Sequence, residues 1–155
     1  MEKWEDDANL KGPVSAGELN DRLSEVYEFI GVINMSDLDK IRINELPLSF
    51  ICYYNNHWVA IHISQSRLEI MDSTHTCFEK PCSEFINFLY MNKNKKIMCN
   101  PILQSAYTNV CGLYCIYFVL QKSLKAKYKY ILKHFSNNVA VNDYIVKDLT
   151  KIKKD

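Results

Sequence analysis

Glycine and proline are scarce in this chain, four of each in 155 residues, which argues against a flexible or low-complexity protein. No apolar run approaches the roughly 18 residues that a membrane helix needs, so no membrane partner is expected. The first residues, Met1 to Asp7, are acidic with no apolar stretch behind them, unlike a secretory leader. A reducing interior, not secretion, is the expected setting. What is present is apolar mass: 48% hydrophobic, 24% charged and 12% aromatic residues. These are the size and makeup of one domain over 1–155 with its own core. A core-rich chain of this length does not need disulfide staples, so the six cysteines, at 52, 77, 82, 99, 111 and 115, ask for another reading.

The net charge of +1 hides an asymmetry. Residues 1–90 hold 7 Lys/Arg against 15 Asp/Glu, and residues 91–155 hold 12 against 3. Such polarity either helps the two halves dock or offers the C-terminal half an anionic partner such as DNA.

Periodicity gives the elements. Ser15 to Glu18 has capping-box spacing, and Leu19, Leu23, Val26, Tyr27 and Ile30 follow at helical intervals, predicting a helix over about 16–30 that Gly31 ends. Pro47–Tyr54, His57–Ser64 and Arg67–Asp72 read as three strands of an antiparallel meander, with turns at Asn55-Asn56 and Gln65-Ser66. Pro81 opens a helix with Phe85, Phe88 and Leu89 on one face, and Lys95–Leu103 reads as a further strand. From Cys111 to Leu120 almost every residue is apolar, which predicts a central helix buried on all sides. A last amphipathic helix is expected from about Asn142, carrying Ile145, Leu149 and Ile152. The sum is an α+β domain.

Cys111 sits where a polar loop, Gln104 to Asn109, gives way to the buried helix. A thiol there feels the unsatisfied N–H groups and positive dipole end of a helix, which favour the thiolate nucleophile. Gly112 lets other backbone or a substrate approach closely. Cys115, one turn on, points into the core. Acyl transfer by a thiolate wants an imidazole as base and later acid, and a third group to orient it. His57, at a strand start after a turn, is the best placed of the four histidines, and His62 falls on the opposite strand face. Asp72 ends the neighbouring strand, so the meander brings it within reach of His57. The Cys111 N–H and the Gln104 side-chain amide are candidate oxyanion donors.

The ordered set His57-Trp58, Ile70-Met71-Asp72-Ser73, and Gln104 seven residues before Cys111-Gly112 resembles the adenain-like cysteine proteases. These are the adenovirus maturation enzymes, related to the SUMO-specific proteases. The resemblance covers residues 57–120 and extends to Phe29-Ile30-Gly31-Val32. It implies a papain-like fold, with the nucleophile on a central helix packed on an antiparallel-rich sheet. It also implies Cys111 as nucleophile, His57 as base, Asp72 as its orienting partner, Gln104 in the oxyanion hole and Trp58 lining a cleft that admits small residues. The acid is Asp, as in SUMO proteases, yet Val110 stands where those enzymes carry Asp. The viral branch is therefore expected: a maturation protease acting on capsid or core precursors at glycine-containing sites, in the virion and host cell interior.

Other readings stand beside this one. A ubiquitin-like isopeptidase shares the same chemistry, and a non-catalytic nucleic-acid or protein interaction domain would use the basic half. His75, Cys77 and Cys82 lack the paired spacing of a structural zinc site, so no metal is expected. The residues require no cofactor, although the resemblance implies a DNA or peptide activator, with Lys122 to Lys133 as the segment that could track a phosphate backbone. A monomer is assumed.

Overall fold

A computed structural model describes residues 14–151. Helix α1 (Ala16–Leu23) starts as the capping box requires, with the Glu18 N–H donating to Ser15 Oγ at 3.1 Å and the Glu18 carboxylate accepting from the Ser15 N–H. It buries Leu19 and Leu23 and stops there, seven residues short of the expected end. The chain instead turns into strand β1 (Phe29–Asn34). Gly31 is no helix cap: it lies inside β1 at φ 127°, where the register against the neighbouring strand shifts between Phe29 and Val32. An irregularity of that kind takes a positive φ most easily at glycine.

After a 3-10 helix (Met35–Lys40), β2 (Leu48–Tyr54), β3 (His57–Ile63) and β4 (Arg67–Met71) form the expected antiparallel meander. Asn55 and Asn56 both have positive φ (51° and 58°), the turn that suits a two-residue hairpin. A short helix α2 (Thr76–Glu79), not expected from periodicity, precedes α3 (Ser83–Met91). Strand β5 (Lys96–Cys99) is shorter than the segment 95–103 and pairs with β4 in parallel, as β1 does with β2. The five-stranded sheet runs β1-β2-β3-β4-β5, an antiparallel centre with parallel edges.

Every residue of β3 is buried, because both sheet faces are covered. On one face Ile51, Trp58, Ala60 and Met71 pack against α1 and against α4 (Cys111–Ser123), α5 (Tyr128–Leu132) and α6 (Val139–Leu149). On the other, Phe50, Val59, Ile61 and Ile70 meet Met35 and Leu38 of the 3-10 helix and Phe85 and Phe88 of α3. Helix α4 is buried from Cys111 to Val119, as its lack of a polar face requires. Helix α6 corrects the expected face: it starts at Val139 and buries Asn142, Asp143, Val146 and Lys147, leaving Ile145 half-buried and Leu149 exposed. Ile152 lies outside the described residues. No helix among the described residues is long and apolar enough to cross a membrane.

Candidate active site

The site forms where three chain segments end. His57 opens β3 directly after the tight turn, Asp72 follows the last residue of β4, and Cys111 is the first residue of α4. The antiparallel register sets Ala60, the fourth residue of β3, opposite Met71, so the residues that follow β4 run alongside the start of β3. His57 Nε2 lies 2.8 Å from Asp72 Oδ1, with the His57 ring 7% and the carboxylate 0% exposed. Asp72 is held from several sides. Its Oδ2 accepts the Cys77 N–H at 2.9 Å, from the unexpected helix α2. Its backbone N–H donates to Asn100 Oδ1 at 2.7 Å, and the Asn100 amide returns a bond to the Asp72 carbonyl at 2.9 Å. Thr74 Oγ1 stands 3.1 Å from His57 Nε2 and bonds Thr76. The acid is thus fixed before the imidazole meets it.

Cys111 is 4% exposed, and the Trp58 backbone N–H donates to its Sγ at 3.4 Å. The His57 ring also neighbours the Cys111 thiol, and its Nδ1 stands 3.5 Å from Thr74 Oγ1. Burial disfavours the charged ring, but hydrogen bonds and charge interactions with Asp72 and Cys111 outweigh it and raise the His57 pKa to about 9. The charged form of the ring is thereby favoured beside the thiol. Val110 supplies no side-chain cap, so the first N–H groups of α4 have no acceptor from that side chain.

Gln104 is buried in the loop that leads to Cys111. Its Oε1 accepts from Ser73 Oγ at 2.6 Å, and its Nε2 donates to the Thr108 carbonyl at 2.9 Å and stands 3.5 Å from Thr108 Oγ1. Trp58 is 7% exposed: Tyr53 packs against it at a 58° tilt with ring centroids 4.9 Å apart, and its indole N–H donates to the Val14 carbonyl at 2.7 Å. The space that Gly112 opens is filled by Val14, since a Cβ on Gly112 would fall 2.8 Å from Val14 Cβ. The close approach expected at Gly112 is made by the chain's own residue 14.

Four of the other five cysteines are held as buried or half-buried thiols. Burial pushes the Cys52, Cys77 and Cys115 thiols well up, and Cys99 up to about 12, so these four sit as neutral packing thiols. Among the described residues no group of three or more His, Cys, Asp or Glu could hold a metal ion. Lys122 does not belong to a phosphate-tracking face: its Nζ turns onto the sheet, 2.8 Å from Glu69 Oε1. Sequence reasoning missed Asn100, Thr74, Val14 and Asp143. Only Asn100, an Asx residue before Pro101 at a strand end, carried a local signal. Comparison of the chain with protein-family models gives no match, and comparison with curated proteins gives none.

Proposed function

We propose that this chain is a cysteine endopeptidase with Cys111 as nucleophile, His57 as general acid and base, Asp72 as its orienting carboxylate and Gln104 beside the oxyanion. The observation that carries the reading is the His57 ring, bonded through Nε2 to a buried, fully committed Asp72, beside a thiol at the start of a buried helix. A structural histidine needs no such arrangement, whereas a thiolate–imidazolium pair does.

The steps follow from these groups. Cys111 Sγ attacks the scissile carbonyl carbon, and the carbonyl oxygen becomes an oxyanion facing the Cys111 N–H and the Gln104 side-chain amide. The tetrahedral intermediate collapses as His57 gives its proton to the leaving amine, which departs and leaves a thioester. His57, now neutral, takes a proton from water, whose oxygen attacks the thioester, and the acid product leaves Cys111 as thiolate beside imidazolium. Asp72 keeps the ring in one orientation throughout.

By its resemblance to adenain-like enzymes the substrate is a viral capsid or core precursor cut at small, glycine-containing sites, inside the host cell and the virion. The test is cleavage of such precursors and of glycine-containing peptides by the wild-type chain and by Cys111→Ala. Cleavage lost in the variant, with its fold intact by circular dichroism, supports the reading; cleavage retained by Cys111→Ala removes it. Labelling by ubiquitin-like C-terminal probes with no precursor cleavage would move the substrate to ubiquitin-like conjugates.

A further inference from the structure

The loop between Gln104 and Val110 is tied at both ends. At its start, the backbone N–H groups of Leu103 and Gln104 donate to the Ser73 carbonyl at 2.9 and 3.1 Å, so the loop hangs from the residue next to Asp72. At its far side stands Asp143, a carboxylate of α6 that is 4% exposed and belongs to none of the groups already given a role. Its Oδ2 accepts from Thr108 Oγ1 at 2.8 Å and from the Ser105 N–H at 3.3 Å, and its Oδ1 accepts from Tyr114 Oη, one turn along α4 from Cys111, at 2.8 Å. Thr108 in turn offers its carbonyl to Gln104 Nε2. One buried group therefore links the nucleophile helix to the loop, and the loop to the Gln104 amide. A buried carboxylate is costly unless donors meet it, and three donors here do.

We propose that Asp143 is a positioning residue for the reaction: through Thr108 it sets the Gln104 amide at the oxyanion, without touching the reacting atoms. The inference rests on the protease reading above. Its particular consequence is a separation of two chemistries at one thiol. Alkylation of Cys111 by iodoacetamide displaces iodide at carbon and forms no oxyanion, so it needs only the Cys111–His57 pair. Amide hydrolysis needs the oxyanion groups as well.

The experiment compares the full-length wild-type chain with Asp143→Leu, Asp143→Asn and Thr108→Val, using iodoacetamide and an internally quenched library of glycine-containing peptides. Misplacing a catalytic group by about 1 Å costs on the order of 10²-fold, so kcat is expected to fall by about that factor in Asp143→Leu and Thr108→Val. The rate of Cys111 alkylation stays within about twofold. A double variant carrying Asp143→Leu and Thr108→Val is expected to be no worse than the poorer single one, because both cut the same link. Asp143→Asn, which keeps an acceptor for Thr108, recovers part of kcat. Unchanged hydrolysis, or hydrolysis and alkylation falling together, overturns the proposal. Amide hydrogen exchange at Ser105 to Val110 reads the brace without activity. If the wild-type chain cleaves no peptide, the protease reading fails, and exchange unchanged in Asp143→Leu would remove the brace as well.

Discussion

The indole N–H of Trp58 is closed by the carbonyl of Val14 at 2.7 Å, and the side chain of Val14 lies against Gly112, the residue after Cys111. Three positions far apart in the chain thus form one joint beside Cys111. Gly112→Ala would place a Cβ 2.8 Å from Val14 Cβ, 3.0 Å from Val14 Cγ2 and 3.4 Å from Trp58 Cδ1. Two of these contacts are to a β-branched side chain that cannot swing away, so the joint has to open. We expect Gly112→Ala to lose about 1–3 kcal/mol of stability in urea titrations. Replacing Val14 by Gly in the same chain, which removes both contacting atoms, should restore part of it, and a Gly112→Ala protein as stable as wild type would contradict the packing described.

Alkaline pH tests the His57–Asp72 pair. His57 ordinarily titrates near 6.5 and here near 9, raised against burial by Asp72 and Cys111. Because the folded value is the higher one, the stability from the charged ring is fully present below about 6.5 and is lost as pH rises through about 9. Hydrolysis should therefore keep its protonated acid up to an alkaline limb near 9. Asp72→Asn removes one of the groups that raise the value, so the limb in kcat/KM should move to lower pH and the rate fall. The same limb in wild type and Asp72→Asn would mean that Asp72 does not govern the ring.

The meeting of His57, Asp72 and Cys111 was legible because they stand at element boundaries that local patterns mark: a hairpin turn before His57, a strand end at Asp72, and a change from polar loop to apolar helix at Cys111. Strand β1 was not, because Val26, Tyr27 and Ile30 continue a helical spacing past Leu23, and only pairing with β2 decides for a strand. Helix α6 misled for a related reason. Its apolar pattern points to Ile145 and Leu149, but Asn142 and Asp143 face inward to satisfy the loop before Cys111, and a buried polar face follows no hydrophobic periodicity. The approach of Val14 to Gly112 joins residues 98 positions apart and leaves no local trace at all.

At the other end of the sheet His62 predicts behaviour in acid. Its ring is buried, with Nδ1 2.7 Å from Ser49 Oγ and 3.9 Å from Glu28 Oε2, and Lys122 stands near; burial first and then the lysine charge lower its pKa to about 4. Glu28, Glu69 and Lys122 are the charged groups that share this end of the sheet face, and burial raises Glu28. With the folded value the lower one, the stability from keeping His62 neutral is present above about 6.5 and is lost as pH falls toward 4. The full shift corresponds to at most about 3 kcal/mol. Urea titrations between pH 7 and 4 should show that loss in wild type and a shallower one in His62→Gln. Equal slopes in the two proteins would assign the acid sensitivity elsewhere.

The last test concerns what anchors the nucleophile helix at its far end. Lys122, in the last turn of α4, reaches Glu69 of β4 at 2.8 Å and also donates to the Ala126 carbonyl at 3.0 Å. Glu69 is 1% exposed, and among the described residues its second oxygen, Oε2, has no hydrogen-bond partner. A carboxylate so placed depends on its single cation. Lys122→Met leaves a buried charge unpaired, for which about 3–5 kcal/mol of destabilisation is expected. Replacing both partners, Lys122→Met with Glu69→Leu, removes the charge along with the ammonium and should recover most of that loss. If the pair also holds α4 in register, the doubly substituted protein will be stable yet slower in hydrolysis, because α4 carries Cys111 at its other end, twelve residues from Ser123. Stability lost equally in the single and double variants would show that the helix is held by its apolar faces, with no contribution from the ion pair.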